Sequence, residues 1–151
     1  MKEIGIGVIG TAFMGKAHSI AYTSAGTAFG GNLRPRLEMV CDQDPQIAEA
    51  KRAEMGFARC TTNYMEVVND PKVDLISICV PNSVHKEIAI AALAAGKHVW
   101  CEKPMSTNLV DSQAMVDAAE ASEQKTIVGY NYTQNPLVHA ARDMINEGVI
   151  G

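Results

Sequence analysis

The stretch Ile4-Gly5-Ile6-Gly7-Val8-Ile9-Gly10-Thr11-Ala12-Phe13-Met14-Gly15 decides the fold. Its first half is an apolar run of strand length, and its second half has the Gly-x-Gly-x-x-Gly layout with Ala12 in the second glycine position. In that layout the first glycine permits a tight turn, the second lets the backbone approach a pyrophosphate, and the third lets a helix pack on the strand. The stretch therefore predicts a strand, a dinucleotide-binding turn and a helix. The alternative is a structural turn that binds no ligand.

Ala12 departs from the commonest form of this pattern but preserves its chemistry. Anions bind at a helix N-terminus through backbone N–H groups and the helix dipole. The methyl group of alanine crowds the approach slightly and leaves those N–H groups in place. Binding at this turn therefore survives the change if φ at Ala12 is negative.

Apolar segments of strand length alternate with helical segments along the rest of the chain. The predicted strands are Ile4–Ile9, Leu37–Asp42, Phe57–Cys60, Asp74–Val80, His98–Cys101 and Lys125–Tyr130, and the predicted helices are Phe13–Ala25, Pro45–Met55, Tyr64–Asn69, Ser83–Ala95, Asn108–Ser122 and Pro136–Glu147. This alternation indicates an α/β fold, a Rossmann doubly wound parallel sheet with helices on both faces. The segment Gly26–Arg36 is predicted to be a long mobile surface loop, with a rim element over the site as the alternative.

Composition and charge narrow the functional class. The 151 residues are 47% hydrophobic with a formal net charge of −4, which indicates a globular protein and argues against a nucleic-acid surface. No apolar stretch is long enough to span a bilayer, and the N-terminus does not resemble a signal peptide. The four cysteines are widely spaced without a Cys-x-x-Cys motif, so we expect free thiols, no metal site and a cytoplasmic location.

Two further strand ends are predicted to face the same site, because ligands of open α/β sheets bind outside the carboxyl ends of the strands. Asp42 ends the second strand, where an acidic side chain accepts hydrogen bonds from ribose hydroxyls and repels a 2′-phosphate. It therefore favours NAD over NADP, with capping of the following turn as the alternative. The fourth strand ends in Val80-Pro81-Asn82, followed by His85, and these residues are expected to line the cofactor. For Asn82, the structural alternative is that its side chain caps the next helix.

The tripeptide Glu102-Lys103-Pro104 follows the fifth predicted strand. A lysine delivered by a strand end and followed by proline is expected to point into the site. Its ammonium could polarise a substrate oxygen or stabilise developing alkoxide charge. Of the four histidines, His18, His98 and His139 are interpreted as packing, capping or surface residues. His85 alone lies beside a strand end, and none of the four is a convincing catalytic base.

Several motifs together resemble the glucose–fructose oxidoreductase, inositol dehydrogenase and rhizopine-catabolism family (Gfo/Idh/MocA). The stretches that carry the resemblance are Gly7–Gly10 with the turn after it, Val80-Pro81-Asn82-x-x-His85, Ala95–Val99, Glu102-Lys103-Pro104 and Gly129–Tyr132. The resemblance covers essentially the whole chain. It implies NAD(P)-dependent oxidation or reduction of a sugar, cyclitol or related polyol in a full-length homo-oligomer. By the same resemblance Lys103 matches a catalytic lysine, Glu102 its cofactor-contacting neighbour and Asn131 a polar residue near the nicotinamide.

The predicted site combines the residue reasoning with the resemblance. The catalytic residue is Lys103, and the cofactor-binding residues are Gly10, Thr11, Ala12, Phe13, Met14, Gly15, Asp42, Val80, Pro81, Asn82, His85, Glu102, Lys103 and Asn131. Residues 1–131 are predicted to form the dinucleotide-binding domain. Residues 132–151 are expected to form a connecting helix and the start of a second, substrate-binding domain that this chain lacks.

Three functions remain open from the sequence. The first is the cofactor-binding part of a sugar or cyclitol dehydrogenase, inactive or nearly so on its own. The second is a free-standing dinucleotide-binding module, such as a redox sensor or regulator. The third is another reaction of the same family, for example dihydrodiol or biliverdin-type reduction, because fold and cofactor site do not fix the substrate.

Overall fold

Six parallel strands form one sheet in the computed structural model, which describes residues 2–150. The strands are β1 (Lys2–Ile9), β2 (Leu33–Cys41), β3 (Arg59–Thr61), β4 (Leu75–Ile78), β5 (His98–Cys101) and β6 (Thr126–Val128). The helices are α1 (Phe13–Phe29), α2 (Pro45–Met55), α3 (Tyr64–Asn69), α4 (His85–Ala94), α5 (Leu109–Glu120) and α6 (Pro136–Asn146). The strand order is β3-β2-β1-β4-β5-β6, so the predicted Rossmann doubly wound fold is confirmed.

The strand order reverses beside β1, and this places three loops together. Ile9 pairs with Cys41 of β2 on one side and with Ile78 of β4 on the other, so the three strands end level. The N–H of Gly10 donates to the Cys41 carbonyl at 2.9 Å, and the N–H of Cys79 donates to the Ile9 carbonyl at 2.8 Å. The loops that follow β1, β2 and β4 therefore leave the sheet from one edge, at its topological switch point.

Helices cover both faces of the sheet, and each face has its own apolar core. Helices α1 and α2 pack together on one face, and α3, α4 and α5 pack on the other. Side chains of β1 alternate between the two faces, as the period of a strand requires. The buried residues Ile6, Val8, Leu37, Val40 and Phe57 form one cluster, and a larger cluster that includes Ile9, Ile76, Ile78, Val99 and Met115 forms the other.

The predicted loop Gly26–Arg36 is wrong. Helix α1 continues to Phe29 and β2 begins at Leu33, so the connection is only residues 30–32. The amino half of β2 is polar and partly exposed, and it pairs with Lys2–Gly5 although it lacks an apolar pattern. Because β3 pairs only with Met39–Cys41, β2 is an edge strand at Pro35, where proline is tolerated.

The remaining elements agree with the predictions within a few residues at their ends. Asp44 and Asn135 cap α2 and α6 by accepting backbone N–H bonds. Asn82 begins a short 3₁₀ turn, Asn82–Val84, and α4 starts only at His85. Within residues 2–150, no helix combines the length and apolarity that crossing a membrane demands. Residues 1 and 151, the outer limits of the two predicted segments, lie outside the described part of the chain.

Candidate functional site

A cavity of about 510 Å³ opens where β1, β2 and β4 end, at the switch point of the sheet. This volume lies within the usual range for small-molecule and cofactor sites. The lining residues are Ile9, Gly10, Thr11, Ala12, Cys41, Asp42, Gln43, Thr62, Tyr64, Cys79, Val80, Pro81, Ser83, Val84, Glu87 and Ile88. Six of the predicted cofactor-binding residues are therefore brought together at one cavity: Gly10, Thr11, Ala12, Asp42, Val80 and Pro81.

The turn after β1 requires glycine at its first and last positions. Gly10 has φ +96°, and a Cβ placed there would lie 2.4 Å from the Cys79 carbonyl oxygen. A Cβ at Gly15 would lie 2.0 Å from the Gly10 carbonyl oxygen, so this glycine lets α1 pack directly against the turn. A side chain at either position would displace the backbone that forms the cavity wall.

The amino end of α1 suits an anionic group. Ala12, which precedes the helix, has φ −67°, so the condition set for alanine at this position is met. No side chain caps α1, and its first backbone N–H groups have no partner within the helix. Together with the dipole of a 17-residue helix, these groups can hold a phosphate or pyrophosphate at the cavity.

Asp42 both orders its own loop and faces the cavity. The Thr11 hydroxyl, itself buried, donates a hydrogen bond to the Asp42 carboxylate. The other carboxylate oxygen, Oδ1, lies 3.3 Å from the N–H of Asp44. The predicted alternatives for Asp42, turn capping and a place at the cofactor, are thus compatible in one conformation.

The opposite rim of the cavity contains a pair that sequence reasoning missed. The Tyr64 hydroxyl, at the start of α3, donates to the Glu87 carboxylate on α4. This hydrogen bond raises the pKa of Tyr64 above its usual value. Glu87 and Asp42 are the charged residues among those lining the cavity, and both are acidic. A signal existed in the sequence, since Tyr64 follows a strand end at the same edge of the sheet.

Glu102 and Lys103 extend beyond the end of β5 and turn in opposite directions. Lys103 is exposed, whereas Glu102 is buried with 6% of its surface accessible. The Glu102 carboxylate faces inward, where its Oε1 lies 3.0 Å from Nε2 of His18 on α1. Its Oε2 lies 3.3 Å from the backbone nitrogen of Lys103. Neither residue is among those lining the 510 Å³ cavity.

A buried chain of hydrogen bonds leads to Glu102 from β4 and α1. The Tyr22 hydroxyl lies 2.7 Å from Oγ of Ser77, and Ser77 Oγ lies 3.2 Å from Nδ1 of His18. Burial raises the pKa of Tyr22 to about 12, so its hydroxyl keeps its proton. One direction that satisfies every group runs from the Tyr22 hydroxyl to Ser77, from Ser77 to Nδ1 of His18, and from His18 Nε2–H to the Glu102 carboxylate.

Trp100 borders this chain on β5. Its ring centroid lies 4.8 Å from that of His18. The buried indole Nε1 has no hydrogen-bond partner among residues 2–150. The sequence interpretation of His18 as a packing or capping residue therefore captured its burial but not its polar partners. A helix pattern gives no information on which strand residues a buried histidine meets.

His85 is fully buried at the first position of α4. Its Nε2 lies 2.9 Å from the Val80 carbonyl oxygen, and its Nδ1 lies 3.1 Å from the Pro104 carbonyl oxygen. The ring therefore connects the cavity wall after β4 with the segment that contains Lys103. The peptide bond between Lys103 and Pro104 is cis.

The other predicted cofactor residues are not among those that line the cavity. Phe13 is 83% exposed, and Met14 is half-buried in the first turn of α1. Asn82 and Asn131 are exposed at the starts of two short 3₁₀ turns. Their part in cofactor binding stays a prediction. Within residues 2–150, no three His, Cys, Asp or Glu side chains are grouped in a way that would hold a metal ion.

Comparison with known proteins gives a consistent result for this fold and turn. Residues 4–130 match the family GFO_IDH_MocA, described as an oxidoreductase family with an NAD-binding Rossmann fold. The chain is 37% identical over 152 residues to levoglucosan dehydrogenase of Pseudarthrobacter phenanthrenivorans, covering 100% of the chain and 39% of that protein. It is 30% identical over 148 residues to inositol 2-dehydrogenase of Rhizobium meliloti, covering 98% of the chain and 42% of that protein.

Solved structures agree with these matches. A levoglucosan dehydrogenase in complex with NADH and levoglucosan superimposes with a TM-score of 0.93 at 36% identity. The match covers 99% of the chain and 41% of that structure. The chain therefore spans about two fifths of the length of the relatives it resembles.

Proposed function

The chain belongs to the Gfo/Idh/MocA oxidoreductase family, and from that premise we propose that it forms the NAD-binding part of a dehydrogenase that acts on a sugar, cyclitol or related polyol. The observation that carries the proposal is the 510 Å³ cavity beside the amino end of α1, at the switch point of the sheet. The substrate class is supported by the names of the relatives, levoglucosan dehydrogenase and inositol 2-dehydrogenase.

The cofactor would be held by the three loops that meet at the cavity. The turn from Gly10 to Gly15 would bind the pyrophosphate through backbone N–H groups, and Asp42 would accept hydrogen bonds from ribose hydroxyls. Val80 and Pro81 supply an apolar wall opposite the turn. When bound there, NAD supplies the two-electron redox chemistry of the reaction.

The charge of the cavity favours NAD over NADP. The two charged lining residues, Asp42 and Glu87, are both carboxylates, and no lysine or arginine is among the lining residues. A 2′-phosphate beside these carboxylates would meet like charge without a compensating cation.

Lys103 is the residue we assign to the reacting oxygen of the substrate. It is exposed at the edge of the sheet where the cavity opens, and its side chain forms no ion pair with residues 2–150. Its Nζ can donate a hydrogen bond to a hydroxyl oxygen and stabilise negative charge as that oxygen loses its proton. All four histidines, by contrast, already have hydrogen-bond partners within the chain.

The proposal also covers the cellular compartment and the oligomeric state of the protein. Four free cysteines suit a reducing compartment, and we place the protein in the cytoplasm. Helix α6 exposes apolar side chains, with Leu137 78% and Ile145 56% accessible, which supports burial of this helix in a full-length homo-oligomer. Light scattering of the full-length protein should give a mass of at least two subunits, and a monomer would contradict this part of the proposal.

Titration calorimetry with NAD and NADP tests the cofactor assignment. We expect the full-length protein to bind NAD at least about tenfold more tightly than NADP. Asp42→Asn should narrow this ratio because it removes one of the two cavity carboxylates. Asp117→Asn, the same change on exposed α5, is the matched control and should leave the ratio unchanged. Tighter binding of NADP by the parent protein would refute the assignment.

A substrate screen tests the reaction. Sugars, anhydrosugars and inositols are supplied with NAD, and NADH formation is followed by absorbance. We expect turnover of at least one of these polyols by the full-length protein. NAD binding without turnover of any polyol would refute the dehydrogenase and favour a binding module.

A further inference from the structure

We propose that two buried histidines, His18 and His85, position the segment of Lys103 from its two sides. Each histidine comes from a helix that begins at the cavity, and each bonds to a residue directly next to Lys103 in the chain: Glu102 before it and Pro104 after it. The inference rests on the proposed function only in giving Lys103 a substrate to act on. The histidines themselves are positioning residues, because neither lines the cavity.

The first contact fixes the carboxylate of Glu102. His18 Nε2 lies 3.0 Å from Oε1, and both side chains are buried, at 7% and 8% accessible. A buried hydrogen bond to a carboxylate is stronger than one between neutral groups. Because Oε2 of the same carboxylate lies 3.3 Å from the Lys103 nitrogen, the orientation set by His18 also decides whether the Lys103 amide has an acceptor.

The second contact fixes the other side of the segment. His85 Nδ1 lies 3.1 Å from the Pro104 carbonyl oxygen and Nε2 lies 2.9 Å from that of Val80. Carbonyl oxygens only accept, so each contact requires hydrogen on that ring nitrogen. A neutral ring satisfies one carbonyl at a time, and a protonated ring satisfies both. Both carbonyl oxygens lie within hydrogen-bond distance of the ring, so the imidazole lies between the Lys103 segment and a residue of the cavity wall, and only the protonated ring donates to both at once.

The two contacts connect the segment of Lys103 to two helices that begin at the cavity. Helix α1 starts at the pyrophosphate turn and includes His18 five positions later, while His85 starts α4 directly after the cavity loop. An exposed lysine has many rotamers, but its backbone is held by contacts from two faces of the sheet. Reaction rates fall steeply when reacting groups are misplaced by about 1 Å. Loss of either contact should therefore lower the rate more than it weakens cofactor binding.

Substituting each histidine by asparagine or by glutamine tests the contacts of its two ring nitrogens separately. The amide of Asn reaches about as far as Nδ1 of histidine, and the amide of Gln about as far as Nε2. His18→Gln therefore retains the bond to Glu102, and His18→Asn retains only the bond to Ser77. For the other histidine, His85→Asn retains the bond to Pro104, and His85→Gln retains the bond to Val80.

The four variants are compared in the full-length protein by two measurements that do not depend on turnover. Hydrogen–deuterium exchange of the peptide 102–106 reports how firmly the Lys103 segment is held. We expect exchange at least about threefold faster in His18→Asn and His85→Gln, and near-parental exchange in their partners. Calorimetry with NADH should show weaker binding, by about tenfold, only in His85→Asn, which releases Val80.

Steady-state kinetics then separates positioning from a structural role. We expect kcat to fall about tenfold in His18→Asn and His85→Gln, with KM for NAD unchanged. His18→Gln should retain kcat, and His85→Asn should raise KM for NAD with little change in kcat. Each variant has its own expected result, so misfolding of one leaves its partner as a test.

The proposal is overturned if the two variants of one histidine show the same exchange rate in the peptide 102–106, whether that rate is parental or faster. Equal loss of thermal stability with equal exchange would indicate a purely structural role. Failure of the proposed function looks different: the parent protein would bind no NAD or turn over no polyol. The exchange pattern of the pairs could still be measured in that case.

Discussion

The two edges of the sheet use charged residues in opposite ways. At the carboxyl edge, Asp42 faces an open cavity and Lys103 is exposed without an ion-pair partner among residues 2–150. At the amino edge, charges neutralise one another. Arg59 contacts both Asp70 and Glu38 at 2.6 Å, and Arg36 forms a second ion pair with Glu38, which is 2% exposed.

A second cation completes the amino edge. Lys97 is buried, and its Nζ donates to the carbonyl oxygens of Asp70 and Val73 at 2.7 and 2.8 Å. Removing one partner of a buried ion pair leaves the other charge uncompensated and destabilises the fold, whereas charges left beside a cavity are available to a ligand. Substitutions at the carboxyl edge should therefore change function, and substitutions at the amino edge should change stability.

Lys103→Ala should have the largest effect. We expect kcat of the full-length protein to fall at least about a hundredfold, because the substitution removes the group that we propose stabilises the reacting oxygen. The free energy of unfolding should change by less than about 0.5 kcal/mol, as is usual for an exposed side chain. Lys125→Ala, an exposed lysine beside the amino end of β6, is the matched control and should retain activity. Near-parental kcat in Lys103→Ala would contradict its assignment.

Arg59→Met should have the next largest effect, on stability alone. Breaking a buried pair costs about 3–5 kcal/mol, and partial solvation reduces this to about 2 kcal/mol because the Arg59 side chain is 41% exposed. Urea denaturation gives the difference. Arg142→Met removes an exposed ion pair with Asp143 and should have almost no effect. Weaker NAD binding in folded Arg59→Met would contradict the view that charges at the amino edge affect stability alone.

Comparing Gly10→Ala with Gly56→Ala distinguishes the effect of backbone strain from the effect of changing a residue that lines the cavity. Both glycines have positive φ, +96° and +82°, but a Cβ at Gly56 would contact nothing within 4 Å. Gly56→Ala should lower stability by about 1–2 kcal/mol, and Gly10→Ala by more, because its Cβ would also meet the backbone of Cys79. Only Gly10→Ala should also weaken NAD binding, by about tenfold, because its Cβ would collide with the Cys79 carbonyl. Calorimetry on both proteins measures the difference, and equal affinities would place the turn outside the cofactor site.

The pH dependence of unfolding gives the smallest expected effect. The Arg59 guanidinium lowers the pKa of Asp70 below its ordinary value of 3.8. A carboxyl whose pKa is lowered by folding contributes stability above the unfolded pKa, and that contribution is lost as pH falls below about 4 through the folded pKa. Asp70→Asn should therefore be less stable than the parent at neutral pH, with the difference shrinking in acid. A difference that persists unchanged at the lowest pH would exclude this linkage.

Sequence patterns predicted the buried strands and missed the partly exposed amino half of β2. The apolar runs of β1 and β4 specified the sheet because strands covered on both faces must be apolar throughout. The amino half of β2 contains Arg34, Pro35 and Arg36, which carry no such signal, so its pairing with β1 was lost in a predicted loop. Pairing there depends on the neighbouring strand rather than on local preference.

The residues of the candidate site were likewise predictable only in part. The glycine turn and Asp42 were predictable because each is adjacent to a strand end, and the ends of parallel strands meet at one edge. The place of Tyr64 after a strand end was also visible in the sequence, but its pairing with Glu87 and the contact of His18 with Glu102 were not, since each contact joins elements that are separate in the chain. Such contacts depend on the rotation of each helix about its axis, which sequence spacing does not determine.

Trp100 gives this arrangement a spectroscopic consequence. It is the one tryptophan in the sequence, and its ring packs against His18 with its indole nitrogen buried. Tryptophan fluorescence of this chain therefore originates beside the Glu102 carboxylate, close to the residues that hold Lys103. Its emission wavelength and lifetime should report the state of that buried network without any added label.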